Sequence, residues 1–319
     1  MDVVLGVDTS CYTTSLCLMT GDAVIVADER IILTVPAGGR GLSQSNMVYQ
    51  HMRNLPLLFE RLAPFLRTHT IVAVGATDKP RRREDSYMPA FLAGLGYGRS
   101  VAALLGVPLY TISHQENHLL AVVREHPELA QTSFFGIHLS GGTTDLLRAQ
   151  PDAEGLAIER VGGSSDISAG QLIDRIGVAL QLPFPAGVHL DQLARQCSAT
   201  VRGLRVSCRG GDISFSGPES QFQRQLACAV PAEPSVVAAQ VLATVWNGLE
   251  HLLDYGRSQS MTRLTAAGGV MANTYLRKKI DEYGRKYGVA IYTALPQHSA
   301  DNASGAAYWA VRKACQSRA

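Results

Sequence analysis

Short runs of apolar and β-branched residues open the chain at Val3 to Val7, Thr14 to Met19 and Ala23 to Arg30, divided by Ser, Thr, Gly and Asp. Runs of that length between turn formers predict a meander of three strands. After a glycine-rich break at Ala37 to Gly41, the stretch Ser43 to Leu66 changes to helical spacing, with Leu55, Leu58, Phe59 and Leu62 on one side. A strand at Ile71 to Ala76, a helix through Arg99 to Leu105 and a strand at Leu109 to Ile112 come next. Near Phe134 the pattern starts over, with strands at Phe134 to Leu139, Asp145 to Ala149 and Leu156 to Val161. Helical spacing then covers Ala169 to Ala179 and Val236 to Tyr255, where Val237, Val241, Val245, Leu249 and Leu252 form a core stripe. The chain continues as strand Leu264 to Ala267, helix Asn273 to Tyr287, strand Ala290 to Tyr292 and helix Asp301 to Arg312.

A meander followed by alternating helices and strands, occurring twice, predicts two similar α/β lobes, residues 1–130 and 131–319, with a cleft between them. The 319 residues are 46% hydrophobic and 18% charged, enough apolar material for two cores of ordinary size. The opening MDVVLGVDTS has no basic segment ahead of an apolar one, and no stretch of about 18 unbroken apolar residues follows, so neither secretion nor a membrane span is expected. Six scattered cysteines (Cys11, Cys17, Cys197, Cys208, Cys228, Cys315) form no C-x-x-C pair and are expected as reduced thiols in the cytoplasm. A net charge of +2 is too mild to demand a polyanionic partner, so any nucleic-acid contact must be argued locally.

Three turns could hold a nucleotide. Asp8-Thr9-Ser10-Cys11-Tyr12-Thr13-Thr14 follows the first strand, where hydroxyls and turn N–H groups can receive phosphate oxygens. Ser140-Gly141-Gly142-Thr143-Thr144-Asp145 joins two strands of the second repeat, and its glycines let the backbone approach a phosphate. Each alone could be a plain hairpin turn; as a pair, one per lobe with a carboxylate at hand, they resemble the phosphate loops of the actin, sugar kinase and heat-shock chaperone ATPases. Gly268-Gly269-Val270-Met271-Ala272-Asn273 runs from strand into helix and suits adenine and ribose, and Asp174 could accept from ribose hydroxyls. A solvated helix carboxylate is the plain alternative for Asp174.

In His114-Gln115-Glu116-Asn117-His118 the i, i+4 spacing sets two imidazoles on one helix face, as a shared metal requires. Asp301, at the start of the last helix, could be a third ligand, although sequence alone does not bring it there. Lys79-Pro80-Arg81-Arg82-Arg83 is a basic cluster that could meet nucleic-acid phosphates or be neutralised by Glu84 and Asp85. His51, His69, His126, His138, His189, His251 and His298 have no partners at such spacing and are given no role.

LGVDTSCYTTS, SHQENH, HLSGGTTDLL, SSDISAGQLIDR, SFSG, AAGGVMANTYLR and ADNA, in this order from residue 3 to about 312, resemble the tRNA threonylcarbamoyladenosine synthase family, formerly called glycoproteases. The resemblance implies the actin-like ATPase superfold and an acyltransferase that moves threonylcarbamoyl from its adenylate to N6 of adenosine 37 in tRNA. It also implies iron or zinc on His114, His118 and Asp301, and ATP or threonylcarbamoyl-AMP on Ser140, Gly141, Gly142, Asp174, Gly187 and Asn273. A peptidase is not expected, because Gln115 stands where a metallopeptidase helix needs its general base.

The sequence departs from the family at Tyr12 and Thr13, where acidic residues are usual. Further departures are Ile167, Gln171 and Arg175 for Asp, Glu and Lys, Thr143 for His, and Pro218-Glu219 after SFSG for Leu-Lys. Thr77 to Pro89 replaces a Gly-Pro-Gly stretch. A divergent paralogue is therefore expected, and two other readings stay open: a non-catalytic dimer partner of an orthodox family member, and a carbamoyltransferase acting on a small molecule. Homo- or heterodimers fit the family, and no membrane partner is expected.

Overall fold

The computed structural model describes residues 1–10, 12–36, 41–228, 232–295 and 300–316. The predicted glycine-rich break therefore lies, apart from Gly41, outside the described residues, as do Cys11 and His298. Two mixed sheets form the frame. The first runs β3-β2-β1-β4-β5, from β1 (Asp2–Asp8), β2 (Thr13–Thr20), β3 (Ile25–Ile32), β4 (Thr70–Lys79) and β5 (Leu109–Ser113). β1, β2 and β3 pair antiparallel as the predicted meander, and β4 and β5 join in parallel.

The second sheet has the order β12-β11-β6-β7-β8-β10-β9, so β6 (Phe134–Leu139) lies between β7 (Thr144–Asp152) and β11 (Arg263–Ala267). β8 is Gly155–Ser164, β9 Ser207–Arg209, β10 Asp212–Ser214 and β12 Ala290–Thr293.

Strand alternation divides the core into layers. Val3, Leu5 and Val7 of β1 face α1 (Gln44–Leu62) and α2 (Ala90–Leu105), packing with Leu55, Leu58, Leu62 and Ala93. Val4 points the other way, joining α3 (His114–Glu125) and the last helix, α4 to α8 lying between them in the chain. On β6, Phe135, Ile137 and Leu139 face the helices of the second lobe, whereas Phe134 meets Leu119 and Leu120 of α3. α3 is thus packed against both sheets, which is why nearly every residue from Gln115 to Val123 is buried.

The second lobe carries α4 (Ala169–Ala179), α5 (Gly187–Ala194), α6 (Ser216–Leu226), α7 (Pro234–Ser258) and α8 (Thr274–Tyr287). α7 is long and apolar enough to cross a bilayer, but 67% of its apolar window is buried and its stripe Val237, Val241, Val245, Leu249 and Leu252 lies in the core.

The C-terminal helix, α9 (Ser304–Gln316), crosses back from the second sheet to the first. Gly6 of β1 and Gly75 of β4 are paired neighbours in parallel register. A Cβ at Gly6 would lie 2.4 Å from the Ala303 carbonyl oxygen, and one at Gly75 only 2.0 Å from that of Ala306. The two glycines form a groove into which the small-residue start of α9 settles backbone to backbone. The helical turn Pro127–Gln131 links the two sheets, and α9, from the end of the chain, packs on the first.

Differences from the sequence reading are local. α2 begins at Ala90 rather than Arg99, and Gly94 within it is a packing position: a Cβ there would stand 2.7 Å from the Thr9 hydroxyl. α5, α6, β9 and β10 were not expected; they are short, and their exposed polar residues give no strong period.

Gly75→Ala should lower the melting temperature by roughly 4–8 °C, for a clash costing about 2 kcal/mol. Gly96→Ala, whose added Cβ meets nothing within 4 Å, should leave it unchanged or slightly higher. Differential scanning calorimetry of both variants checks the groove.

Candidate functional site

α3 starts directly after β5 because Ser113 and Glu116 cap each other. The Ser113 hydroxyl accepts from the Glu116 N–H, and the Glu116 carboxylate accepts from the Ser113 N–H at 2.8 Å. The other Glu116 oxygen accepts from the Leu156 N–H at 3.0 Å, so this residue holds the β7–β8 hairpin and is structural. Its neighbour Asn117 makes a connection that sequence could not show. Asn117 Nδ2 donates to the Asn302 carbonyl at 2.6 Å, and its Oδ1 accepts from the Ala306 N–H at 2.8 Å. The turn before α9 is thereby fastened to α3.

Asp301 arrives beside the two imidazoles. Its Oδ1 lies 3.2 Å from His118 Nε2 and 3.7 Å from His114 Nε2, and the two Nε2 atoms are 3.0 Å apart. Ligand atoms on a tetrahedral cation with 2.0–2.1 Å bonds stand about 3.4 Å from one another, so this set fits one ion. His114, His118 and Asp301 are the group among the described residues able to hold a metal. On the far side of the ring His114 Nδ1 faces Asp8 Oδ1 at 3.4 Å, too poorly aligned for a hydrogen bond.

The electrostatics suit a cation. Burial draws His114 down, but Asp8 and Asp301 outweigh it and the net is upward. His118 is held below the ordinary imidazole value by burial and by His114. Burial would raise Asp301, yet hydrogen bonding from His118 and the surrounding imidazoles keep it at about 2. An ionised carboxylate and a proton-poor imidazole therefore face one point.

The turns after β1 and β6, expected from sequence as phosphate loops, border this cluster. Asp8 is fully buried, accepting from Ser10 Oγ at 2.6 Å and from Thr77 Oγ1 at 2.5 Å. Thr9 points elsewhere: its hydroxyl donates to the Ala90 carbonyl and accepts from the Gly94 N–H, both at 2.9 Å, locking the loop to α2. In the second loop, Ser140 Oγ accepts from the Thr143 N–H at 3.1 Å, and nothing stands within 4 Å of an added Cβ at Gly141 or Gly142. Their backbone faces open space. A Cβ at Gly170 of α4 would meet the Ser140 carbonyl at 2.4 Å, so the start of α4 sits on the loop.

A chain of contacts joins the remaining predicted residues. Asp174 accepts from the Ala186 N–H at 2.8 Å, and burial lifts its carboxyl to about 6 despite that bond. Gly187 opens α5, whose Asp191 accepts from the Thr274 hydroxyl at 3.1 Å. Asn273 caps α8, with Oδ1 accepting from the Leu276 N–H at 3.0 Å, while its Nδ2 is buried without a partner among the described residues. Gly268 has φ 101° and would place a Cβ 2.2 Å from the Leu139 carbonyl; Gly269 is open. Asp191 was missed by sequence reasoning; its signal was only a carboxylate on a short helix.

The arginines of the basic cluster meet carboxylates. Arg81 donates to Asp145 at 2.9 Å, and Asp145 also accepts from Arg160 at 2.8 Å. Arg82 binds Asp152 at 2.8 Å and Glu154 at 2.5 Å, and Arg83 pairs with Asp85. Two of the three arginines thus tie the first lobe to carboxylates of the second. Tyr12 makes another crossing, its ring 5.9 Å from that of Phe184.

His138, given no role on spacing, is the last residue but one of β6, beside the cluster. Its ring centre lies 4.7 Å from that of His118 and 6.5 Å from that of His114. Strand alternation was the signal: His138 shares the face of Phe134 and Gly136, the face that meets α3.

The family described as “TsaD: tRNA N6-adenosine threonylcarbamoyltransferase” matches residues 87–308. A tRNA N6-adenosine threonylcarbamoyltransferase of Thermosipho africanus is 25% identical over 95% of this chain and 91% of its own. One from Prochlorococcus marinus strain MIT 9313 is 32% identical over 67% of this chain, a match spanning 63% of the relative's length. Among solved structures, full-length HypF in a phosphate- and nucleotide-bound form has a TM-score of 0.61 at 12% identity, covering 98% of this chain and 46% of HypF. A ROK family glucokinase from Streptomyces griseus, in complex with glucose and AMPPNP, has 0.55 at 13%, covering 97% and 99%. The fold is the expected actin-like ATPase superfold. By the match over residues 87–308 and the ordered motifs within it, the chain belongs to the tRNA N6-adenosine threonylcarbamoyltransferase family.

Proposed function

We propose that this protein transfers threonylcarbamoyl from its adenylate to N6 of an adenosine in tRNA, with a divalent metal, iron or zinc, on His114, His118 and Asp301. The observation that carries the reading is the convergence of those three side chains, 3.0–3.7 Å apart, beside the turn that follows β6 and the carboxylate that ends β1. When bound, the metal supplies positive charge to polarise the oxygens of the mixed carbamoyl-phosphate anhydride.

This chain's own residues hold and orient. The open backbone of Ser140, Gly141, Gly142 and Thr143 leaves room for phosphate oxygens, which would take over the Gly142 and Thr143 N–H groups now donated to Ser140 Oγ, with no cationic side chain required. Asp174 accepts from ribose, the unpartnered Nδ2 of Asn273 donates to the nucleoside, and Gly187, Gly268 and Gly269 leave room for it. The N6 amine attacks the carbamoyl carbon, a C–N bond forms, the C–O bond to phosphate breaks, AMP leaves with the electron pair, and the proton lost by the amine goes to the departing phosphate or to water. Fixing donor and amine within reach is the main contribution of such a site. Its location would be the cytoplasm, where tRNA and reduced cysteines coexist.

A second reading is favoured by one observation. Tyr12, standing where an acidic residue is usual, is packed on Phe184. A protein that binds the adenylate without turnover would then serve as a dimer partner of an orthodox family member.

Purified, metal-loaded protein should release AMP from threonylcarbamoyl-adenylate only when unmodified tRNA is present, and His114→Ala should cut kcat/KM by 100-fold or more, about 3 kcal/mol. Binding without release would favour the partner reading, and release indifferent to tRNA a small-molecule acceptor. Chelation should abolish turnover, with one equivalent of Fe²⁺ or Zn²⁺ restoring it; turnover that survives exhaustive chelation would overturn the metal assignment.

The raised carboxyl of Asp174 gives a pH signature. Only its ionised form accepts two ribose hydrogens, so the affinity for adenosine, which has no titrating group in this range, should weaken about tenfold as pH falls from 7.5 to 5 through its value of about 6. Asp174→Asn should bind more weakly and without that pH dependence, as followed by isothermal titration calorimetry.

A further inference from the structure

We infer that Arg202, Arg205 and Arg209 form a row that holds the sugar–phosphate backbone of the tRNA whose adenosine enters the cleft. This surface rests on the tRNA reading proposed for the cleft. The three side chains are exposed, and none has an ion-pair or hydrogen-bond partner among the described residues. Residues 195 to 228 hold five arginines against two carboxylates, an excess greater than the net charge of +2 of the whole chain. Of those carboxylates, Asp212 stands opposite Arg209 yet pairs with Arg160, and Glu219 accepts from Gln223. The cluster at Lys79 to Arg83 is in the reverse condition, its three arginines spent on carboxylates.

The row is built on a fixed backbone. A Cβ at Gly203 would lie 2.5 Å from the Ala243 carbonyl oxygen, so the chain between Arg202 and Arg205 lies flush on α7. The Leu204 N–H donates to Thr244 Oγ1 at 2.8 Å, and the Leu204 carbonyl accepts from Asn247 Nδ2 at 2.9 Å. Val206 is buried, and β9 then pairs with β10. With Gly203, Leu204 and Val206 anchored, the arginines stand on a segment already ordered, which lowers the cost of binding. β9 is the edge strand of its sheet, and Ser207 stands opposite Ser214 of β10. Ser214 donates to Asp166, and Ser168, two residues on, donates to the Gly141 carbonyl at 2.9 Å. The Arg205 end of the row is thus the end nearer the turn after β6, with Arg209 farther out. In extended chain Arg202 to Arg209 reaches up to about 23 Å, enough for more than one phosphate. A guanidinium presents a planar fork to phosphate oxygens, and such contacts position a nucleic acid without reading its bases. A protein partner needs apolar or aromatic anchors, and among the described residues no large hydrophobic side chain between Val188 and Leu295 is exposed.

Fluorescence anisotropy of labelled, unmodified tRNA, titrated with metal-loaded protein over a range of salt concentrations, tests this. The triple variant Arg202→Gln, Arg205→Gln, Arg209→Gln should bind at least tenfold more weakly near about 0.1 M salt, and the slope of log K against log salt should fall by about two to three. Arg263→Gln, at an exposed arginine on the end of β11 away from Gly268, should bind as the wild type does. Adenosine affinity and melting temperature of the triple variant should be unchanged. Equal tRNA affinity and slope would overturn the inference, and so would kept tRNA affinity with lost binding to an orthodox family member, which would make the row a protein contact. A wild type that binds no tRNA would overturn the acceptor reading and this surface together. Arginine-dependent binding without AMP release would leave the surface standing and overturn the transfer alone. Should the triple variant fail to fold, phenylglyoxal modification of the wild type, mapped by mass spectrometry, decides: tRNA should protect the three arginines but not Arg263, and equal modification with and without tRNA would overturn the inference.

Discussion

The amide of Asn117 is the joint on which the site depends. It reaches across 185 residues of sequence to the Asn302 carbonyl and accepts from the Ala306 N–H, so one uncharged side chain fixes the turn before α9 to the helix that bears the imidazoles. Both bonds are buried, and a buried amide with donor and acceptor each satisfied is directional in a way that apolar packing is not. The missing Cβ at Gly305 lets the chains approach closely, since an added one would lie 1.9 Å from the Asn117 carbonyl oxygen. Asp301 owes its place to this joint more than to any attraction from the imidazoles.

Much of this was legible in the sequence because it is written at short range. The two meanders, the α7 stripe and the turns after β1 and β6 follow from periods of 2 and 3.6 and from the placing of glycines. What sequence concealed was of two kinds. Asp301 could be suspected, but its meeting with His118 is decided by Asn117, whose partners lie far along the chain. The arginines at 81 and 82 could be matched in sequence only with neighbouring Glu84 and Asp85, because their carboxylates, Asp145, Asp152 and Glu154, are supplied by another lobe. His138 was overlooked for a different reason: imidazoles were paired by helical spacing, whereas this one stands on a strand and meets α3 by alternation.

Charge is used here to hold lobes together as well as to bind. Asp145 is almost wholly buried and shared by Arg81 from the first lobe and Arg160 from its own sheet. Its position at the end of the second phosphate turn puts an ion pair where the two lobes meet, and Tyr12 on Phe184 adds an aromatic contact nearby. Movement between the lobes therefore has to separate a desolvated carboxylate from a guanidinium, which favours two discrete arrangements over a continuous range.

The crossing of α9 onto the first sheet also bears on biogenesis. A ribosome delivers the strands of that sheet early, but the helix that fills the Gly6–Gly75 groove and the carboxylate that completes the metal-binding set emerge only after both sheets have been made. Until then the nascent protein has one face of its first sheet uncovered and a pair of histidines without their acidic companion. A metal held by the proposed set could be captured only once the second lobe is in hand, and the fold would then guard against loading an unfinished chain.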